Sequence, residues 1–318
     1  MVGTMAKAAA QGGLDFLTLQ GLFMHLIRRI FFIGAIALSA ATQLSAFAAE
    51  KVKVTASFSI LGDLAHVIGG DRVSVYTLVG PNEDAHIFEP KPTDAKQLLT
   101  SQVFLTNGLG FEPWAQKLAK ASGFKGTSIT ASKSVQARKM SGETDPHAWQ
   151  NPNNVIVYVQ NIADGLSQSD PAGAKTYQAN ALAYIQELKA LDLWAKAQFA
   201  DTPVSKRKVI TSHDAFGYLS AQYQIQFLSP QGVNTESAPS AKQVSQLIRQ
   251  IKRERIKAVF VENMANPKLL AQLSQDAGIE VGADLYSDAL SAAEKPGSTY
   301  LLMMRHNISH LAAGMRLN

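Results

Sequence analysis

The chain has 318 residues, of which 46% are hydrophobic and 17% are charged. This balance excludes a disordered or membrane-embedded chain, and the length is enough for two domains of ordinary size. The formal net charge of +5 is too small to favour nucleic-acid binding, so no nucleic-acid partner is expected. The chain contains no cysteine, and a transition-metal site would therefore have to use histidine and carboxylate ligands.

The first 48 residues have the pattern of a secretion signal. The basic pair Arg28 and Arg29 precedes an apolar run over residues 30–44, which is shorter than the roughly 20 residues of a membrane-spanning helix. A small-x-small sequence at residues 46–48 predicts cleavage before Ala49. Residues 1–23 form an extension before this signal, unless Met24 is the true start. A membrane anchor is the alternative reading, which the polar residues within the run disfavour.

The predicted location follows from this signal. Because no cysteine follows the signal to carry a lipid, we expect a soluble periplasmic protein without a lipid anchor.

The region from residue 52 to residue 121 alternates short β-branched runs with helical stretches. Strands are predicted at residues 52–56, 73–79 and 103–106, and helices at residues 59–68, 94–101 and 113–121. Gly69 and Gly70 end the first helix, and Pro113 lies in the first turn of the third. Strand alternating with helix predicts a mainly parallel sheet covered on both faces.

Two helices are predicted in the middle of the chain. The first covers residues 153–169, and Ser169, Asp170 and Pro171 then begin a second that continues to residue 201. At about 1.5 Å per residue the second helix would span roughly 45 Å, long enough to join two lobes as a stiff spine. Its apolar side chains recur at steps of three and four residues, at Tyr177, Ala181, Tyr184, Leu188, Leu191 and Trp194.

The alternation of strands and helices restarts after the long helix. Strands are predicted at residues 208–211, 225–228, 258–261 and 280–282, and helices at residues 215–222, 240–253, 267–277 and 299–317. The predicted fold class is α/β, with two lobes of mainly parallel sheet joined by one long spine helix. The predicted domains are an N-terminal lobe at residues 49–170, a linking helix at 171–201 and a C-terminal lobe at 202–318.

Three histidines and one aspartate lie where a ligand would bind such a fold. His86 and His213 follow predicted strands, His147 precedes a helix, and Asp288 follows the last strand of the C-terminal lobe. Ligands of open α/β sheets bind at the carboxyl ends of the strands. Imidazole and carboxylate suit zinc, which takes four ligands in a tetrahedron. The spacing of these residues is wide, so each of them could equally be an ordinary hydrogen-bonded loop residue.

Five ordered segments give the chain a resemblance to a known family. They are HIFEPKP at residues 86–92, DPHAWQNP at 145–152, HDAFGY at 213–218, GVNTESAPS at 232–240 and LYSD at 285–288. Together they resemble the metal-binding receptors of ABC transporters known as cluster A-I, which are ZnuA/TroA-like. The resemblance implies a binding protein rather than an enzyme, with the metal ligands His86, His147, His213 and Asp288.

The same resemblance implies a metal and its partners. Manganese receptors of the family usually place glutamate at the third ligand position, and zinc receptors place histidine; here it is His213. The expected function is therefore high-affinity capture of Zn²⁺ in the periplasm and its delivery to the membrane permease of an ABC transporter. Residues 111–144 contain no histidine, so the His-rich loop of many zinc receptors is missing and a periplasmic metallochaperone could load the metal. A monomer is expected.

Three other functions remain open alternatives. The chain could be a manganese receptor of the same family. It could be a zinc hydrolase in which Asp288 is a general base, although the chain has no His-Glu-x-x-His motif. It could also be a surface adhesin, which the missing lipid anchor disfavours.

Several other side chains have both a structural and a functional interpretation. We expect His66 to be structural and Trp149 to pack in the cleft. Asp214 is expected to cap the helix that follows it rather than to orient His213. His306 and His310, four residues apart on the closing helix, could form an accessory metal site. Glu236 could hydrogen-bond a ligand or hold its loop, and the charged residues 252–255 read as a solvated helix end or a transporter docking patch.

Overall fold

The first half of the structure is built on a four-stranded parallel sheet. The computed structural model describes residues 50–140 and 142–318, so the predicted signal lies outside the described residues. The strand order is β2-β1-β3-β4, and Val54 of the central strand pairs with Val75 on one side and Val103 on the other. The strands are β1 (Val52–Phe58), β2 (Val73–Val79), β3 (Val103–Thr106) and β4 (Thr127–Thr130).

Helices cover this sheet, and a small hairpin lies beside it. The helices are α1 (Ser59–Gly69), α2 (Pro92–Leu99), α3 (Ala115–Ser122) and α4 (Pro152–Ser169). The hairpin pairs β5 (Arg138–Met140) with β6 (Glu143–Asp145) in antiparallel fashion. It was not predicted, because its short strands are polar and carry no apolar alternation.

The second half has a smaller parallel sheet. Strands β7 (Lys208–Ile210) and β8 (Gln226–Leu228) pair in parallel. The strand predicted at residues 258–261 appears only as isolated bridges, from Ile210 to Val259 and from Glu262 to Leu285. The prediction of a strand at residues 280–282 is wrong. The chain there makes single backbone hydrogen bonds, such as the one from Gly282 N–H to Val259 O, instead of a continuous ladder. The helices are α6 (Gly217–Tyr223), α7 (Ala241–Glu254), α8 (Pro267–Ala277) and α9 (Tyr300–Met315).

The long helix α5 (Ala174–Phe199) connects the halves. Its 26 residues correspond to about 39 Å at 1.5 Å per residue, close to the predicted span. It packs against α1 and α4 of the first half and against the closing helix α9. Of the six apolar positions predicted to share one face, all are buried except Trp194, which is partly buried under Arg305 at 5.0 Å. The α/β class with parallel sheets and one long helix is thus confirmed.

The two halves also meet directly, near the carboxyl ends of their strands. The indole N–H of Trp149 and the side-chain amide of Gln150 both donate to Ser287 O at 2.8 Å. Tyr300, at the start of α9, donates its hydroxyl to Trp149 O at 2.7 Å. One apolar core runs from the first sheet into the second half, and a smaller one lies under β7 and helices α7 and α8. These contacts place the loops after β2, β6 and β7 around a common point.

Candidate metal centre

His86 is held by the loop that follows β2. Its side chain is 5% exposed, and its ring packs edge-on against Phe111 with centroids 4.7 Å apart. The backbone N–H of His86 donates to Oδ1 of Asp84 at 2.9 Å, which closes the loop into a local turn. These contacts direct Nε2 of His86 towards the other ligand candidates.

His147 follows β6 and is completely buried. Oδ1 of Asp145 accepts the His147 backbone N–H at 3.0 Å and lies 2.9 Å from its Nδ1. A carboxylate in this position accepts a hydrogen bond from Nδ1–H, so that the lone pair of Nε2 points to the centre. Trp149 is buried as expected, with its ring centroid 5.3 Å from that of His147, and it walls off this side of the site.

His213 follows β7 and is oriented by Glu262, a residue that the sequence interpretation missed. Nδ1 of His213 lies 2.5 Å from Oε2 of Glu262, and the His213 backbone N–H donates to Oε1 at 2.9 Å. Glu262 comes directly after the apolar run at residues 258–261, and this position at a strand end could have identified it.

Asp288 lies between the three imidazoles and is completely buried. Its Oδ2 is 3.3 Å from Nε2 of His86 and 3.2 Å from Nε2 of His213, and its Oδ1 is 3.6 Å from Nε2 of His147. All four candidate ligand atoms lie within 4.8 Å of one another. The structure therefore brings together the four residues that the sequence singled out, two from each half.

These distances fit one small cation. A tetrahedral zinc site with bonds of about 2.1 Å has edges of about 3.4 Å between ligand atoms, similar to the separations around Asp288. Within the described residues, both oxygens of Asp288 and Nε2 of His213 lack a hydrogen-bond partner. Buried carboxylate oxygens without partners are costly unless a cation or proton satisfies them. Three imidazoles and a carboxylate, with no thiolate, match the donors that zinc and later transition metals accept.

The electrostatics of the cluster favour a negative Asp288 and protonated rings of His147 and His213 when no ion is bound. Burial lowers the pKa of His147, but the charge of Asp288 and the bond to Asp145 outweigh it and raise that pKa to about 9. Burial likewise opposes charge on His213, but Glu262 and Asp288 raise its pKa well above the usual value. Burial works against the ionised Asp288, but His213 and His147 hold its pKa well below normal. A bound cation would replace these protons.

The remaining candidate residues lie apart from this cluster or act differently from expectation. Asp214 does not cap a helix: α6 begins at Gly217 after Phe216, and the Asp214 backbone N–H donates to Gly232 O at 3.1 Å. It does not orient His213 either, because Glu262 occupies that place. His66 is exposed on α1, and Glu236 is exposed in its loop. The rings of His306 and His310 lie tilted against each other on α9 with centroids 4.3 Å apart, and Nε2 of His306 lies 2.8 Å from Asp284 O.

Comparison with known proteins defines the class to which this fold and site belong. The family model described as "ZnuA: Zinc-uptake complex component A periplasmic" matches residues 54–314. The chain is therefore a metal-binding, substrate-binding protein of an ABC transporter, and it belongs to the ZnuA family. This identifies a binding protein and not an enzyme, and the zinc-hydrolase alternative is not supported.

Individual relatives are named for different metals. The chain is 34% identical over 268 residues to the manganese-binding lipoprotein MntA of Halalkalibacterium halodurans, covering 84% of this chain and 89% of the relative. It is 31% identical over 277 residues to the iron ABC transporter substrate-binding lipoprotein MtsA of Streptococcus pyogenes, covering 84% and 89%. The solved structure of the periplasmic zinc-binding protein TroA from Treponema pallidum matches with a TM-score of 0.80 and 26% identity, covering 83% and 99%.

The next question is whether the protein is attached to a membrane. MntA and MtsA are named as lipoproteins, which runs against the expectation that this protein has no lipid anchor. Across residues 50–140 and 142–318, no helix combines the length and apolar character needed to cross a bilayer.

Proposed function

We propose that this protein binds one Zn²⁺ through His86, His147, His213 and Asp288 and delivers it to a membrane permease. The observation that carries the proposal is the convergence of three Nε2 atoms on the unpartnered carboxylate of Asp288, at separations close to tetrahedral edges. All four coordination positions come from the protein, as in a site that holds its ion rather than one that activates water.

The choice of zinc over manganese rests on donor chemistry. Manganese prefers oxygen-rich sites, whereas this site offers three nitrogens and one carboxylate. Asp145 accepts from Nδ1 of His147, and the carboxylate of Glu262 lies against Nδ1 of His213; a carboxylate in this position raises the basicity of an imidazole, which strengthens nitrogen ligands. Manganese is the second candidate, because the relative MntA is named for it.

A competition titration tests this proposal. Protein stripped with chelator is titrated with zinc or manganese in the presence of a chromophoric chelator. We expect one equivalent of zinc to bind, far more tightly than manganese, and His147→Ala to lower the zinc affinity by orders of magnitude while the circular dichroism spectrum stays unchanged. The exposed His66→Ala serves as a matched control and keeps wild-type affinity. Tighter binding of manganese than of zinc would favour the second candidate.

The location of the protein follows from the proposed export signal, and the expected movement of its lobes follows from the contacts between the two halves. We place the mature chain, from Ala49, in the periplasm as a monomer, with lobes at residues 49–170 and 202–318 joined by the helix at 171–201. The core that α5 shares with both halves supports small movements of the lobes rather than a wide hinge. A metallochaperone is a further proposed partner. Recovery of the protein with the periplasmic rather than the cytoplasmic fraction tests this location, and recovery with the cytoplasmic fraction would contradict it.

A further inference from the structure

A short loop of the second half borders the metal centre. Residues 229–239, here called the cover loop, separate two cavities that both reach a candidate ligand. One cavity of about 590 Å³ is lined by His86 together with Val233 and Asn234 of the loop. The other, of about 660 Å³, is lined by His213 together with Thr235 and Glu236. The two sides of the centre thus face open space on either side of one short stretch of chain.

The cover loop keeps its own shape. The side-chain amide of Gln231 donates to Thr235 O and to Ser237 O, both at 3.0 Å, so the middle of the loop is tied to its beginning. Gly232 O accepts the backbone N–H of Asp214 at 3.1 Å, which anchors the loop beside His213. Val233 is 7% exposed and lines the first cavity. These contacts give the loop a defined shape and attach it to the second half.

Thr235 ties the cover loop to the first half. Its hydroxyl donates to Oδ2 of Asp84 at 2.6 Å, while Oδ1 of the same carboxylate accepts the backbone N–H of His86 at 2.9 Å. One partly buried carboxylate thus holds the loop and a metal ligand at the same time. Hydrogen bonds to a charged acceptor are stronger than neutral ones, so this contact has a larger effect than its single hydroxyl suggests.

We infer that the hydrogen bond from Thr235 to Asp84 is a latch that holds the cover loop closed and sets the rate at which the ion leaves. This inference rests on the proposed function. When the bond breaks, the loop separates from the first half and the two cavities join across the centre, so that water reaches the bound ion. Because Asp84 also holds the His86 backbone, the displacement is transmitted to that ligand. Asp84 and Thr235 are positioning residues and do not coordinate the ion.

Zinc release into excess chelator, followed by stopped flow, tests the latch. Thr235→Val keeps the shape of the side chain but removes the donor, and we expect release about tenfold faster or more, with binding also accelerated. Thr235→Ser restores the hydroxyl and returns the rate to near that of the wild type. The melting temperature of the metal-free Thr235→Val protein stays unchanged, which a merely structural role would not predict.

Two controls make the result specific. Ser237→Ala removes a hydroxyl from the same loop but keeps the main-chain oxygen that accepts from Gln231, and it should release zinc at the wild-type rate. In an Asp84→Ala background, Thr235→Val should cause no further acceleration, because its acceptor is already gone. Wild-type release by Thr235→Val, or equal acceleration in both backgrounds, overturns the latch. Failure of the wild type to bind zinc at all would instead overturn the proposed function.

Discussion

Nδ1 of His213 lies 2.5 Å from Oε2 of Glu262, and the other oxygen of that carboxylate accepts the His213 backbone N–H at 2.9 Å. One buried carboxylate therefore fixes both the ring and the main chain of this ligand. With its proton on Nδ1, the imidazole has the Nε2 lone pair available for an ion that binds beside Asp288. Asp145 does the same for His147, so two of the three imidazole rings are already oriented before an ion binds.

Replacement of Glu262 tests how much this orientation contributes. We expect Glu262→Gln to lower zinc affinity about 10–100-fold, because the amide keeps the shape but weakens both the basicity and the orientation of His213. Competition titration measures the change, and Glu294→Gln, at an exposed position, is the matched control. Wild-type affinity in Glu262→Gln would show that the carboxylate does not support the ligand.

Gly217 allows a close approach between α6 and the residue that orients His147. A Cβ at this position would lie 2.4 Å from Oδ2 of Asp145 and 2.7 Å from Cε of Met140. Glycine-to-alanine changes in helices usually stabilise by about 0.5–1 kcal/mol, but Gly217→Ala should instead lower both the stability and, by about tenfold, the zinc affinity. Thermal melts and zinc titration check this. Gly232→Ala, where a Cβ meets open space, should change neither.

Zinc binding should release protons. Because the pKa of His147 is raised to about 9 in the ion-free site, this ring carries a proton at pH 7 that the ion must displace. Affinity should therefore fall as the pH falls below about 9, by about tenfold per pH unit for each displaced proton. Calorimetry at pH 7 in two buffers with different ionisation enthalpies measures the release, and at least one proton per zinc is expected. Binding heats that do not depend on the buffer would contradict this.

Asp63 makes a hydrogen bond at the start of α9, but the burial of its charge lowers stability at neutral pH. Its Oδ2 accepts the Tyr300 backbone N–H at 2.8 Å at the start of α9. Burial raises its pKa to about 6, against smaller opposing effects of this bond and of His66. Because the folded pKa lies above the unfolded one, the contribution to stability is present below about pH 4 and is lost as the pH rises through about 6.

The raised pKa of Asp63 predicts how its replacement by asparagine changes the stability of the protein. Asp63→Asn keeps an acceptor for Tyr300 and removes the buried charge, so we expect a more stable protein at pH 7.5, by up to about 3 kcal/mol. Urea unfolding between about pH 4 and pH 7.5 should show a flatter pH dependence than the wild type. A less stable variant at pH 7.5 would indicate that the carboxylate is favourable there.

The sequence predicted the fold where local patterns are strong. β2, β3 and α8 begin and end where the alternation and the flanking Gly and Pro residues predict, and the apolar face of α5 is buried as expected. The four clustered residues could be singled out because three lie at the ends of strands or beside helix starts, and the resemblance then selected them from the other histidines.

The differences have physical causes. Residues 280–282 contain a single β-branched residue, Val281, and only isolated backbone bonds join them to the neighbouring chain. Asp214 has the right chemistry for a cap, yet its N–H bonds to the cover loop and the helix starts three residues later. Glu262 contacts His213 across 49 residues of sequence, so its position after the apolar run at residues 258–261 marks a strand end but does not show which residue it contacts.

Anomalous diffraction tests the central claim most directly. Crystals of the stripped protein, grown with equal amounts of zinc and manganese, would be measured on both sides of the zinc absorption edge. The proposal predicts one strong zinc peak at about 2.0–2.2 Å from Nε2 of His86, His147 and His213 and from a carboxylate oxygen of Asp288. A peak elsewhere, or density at this place without a zinc signal, would contradict it.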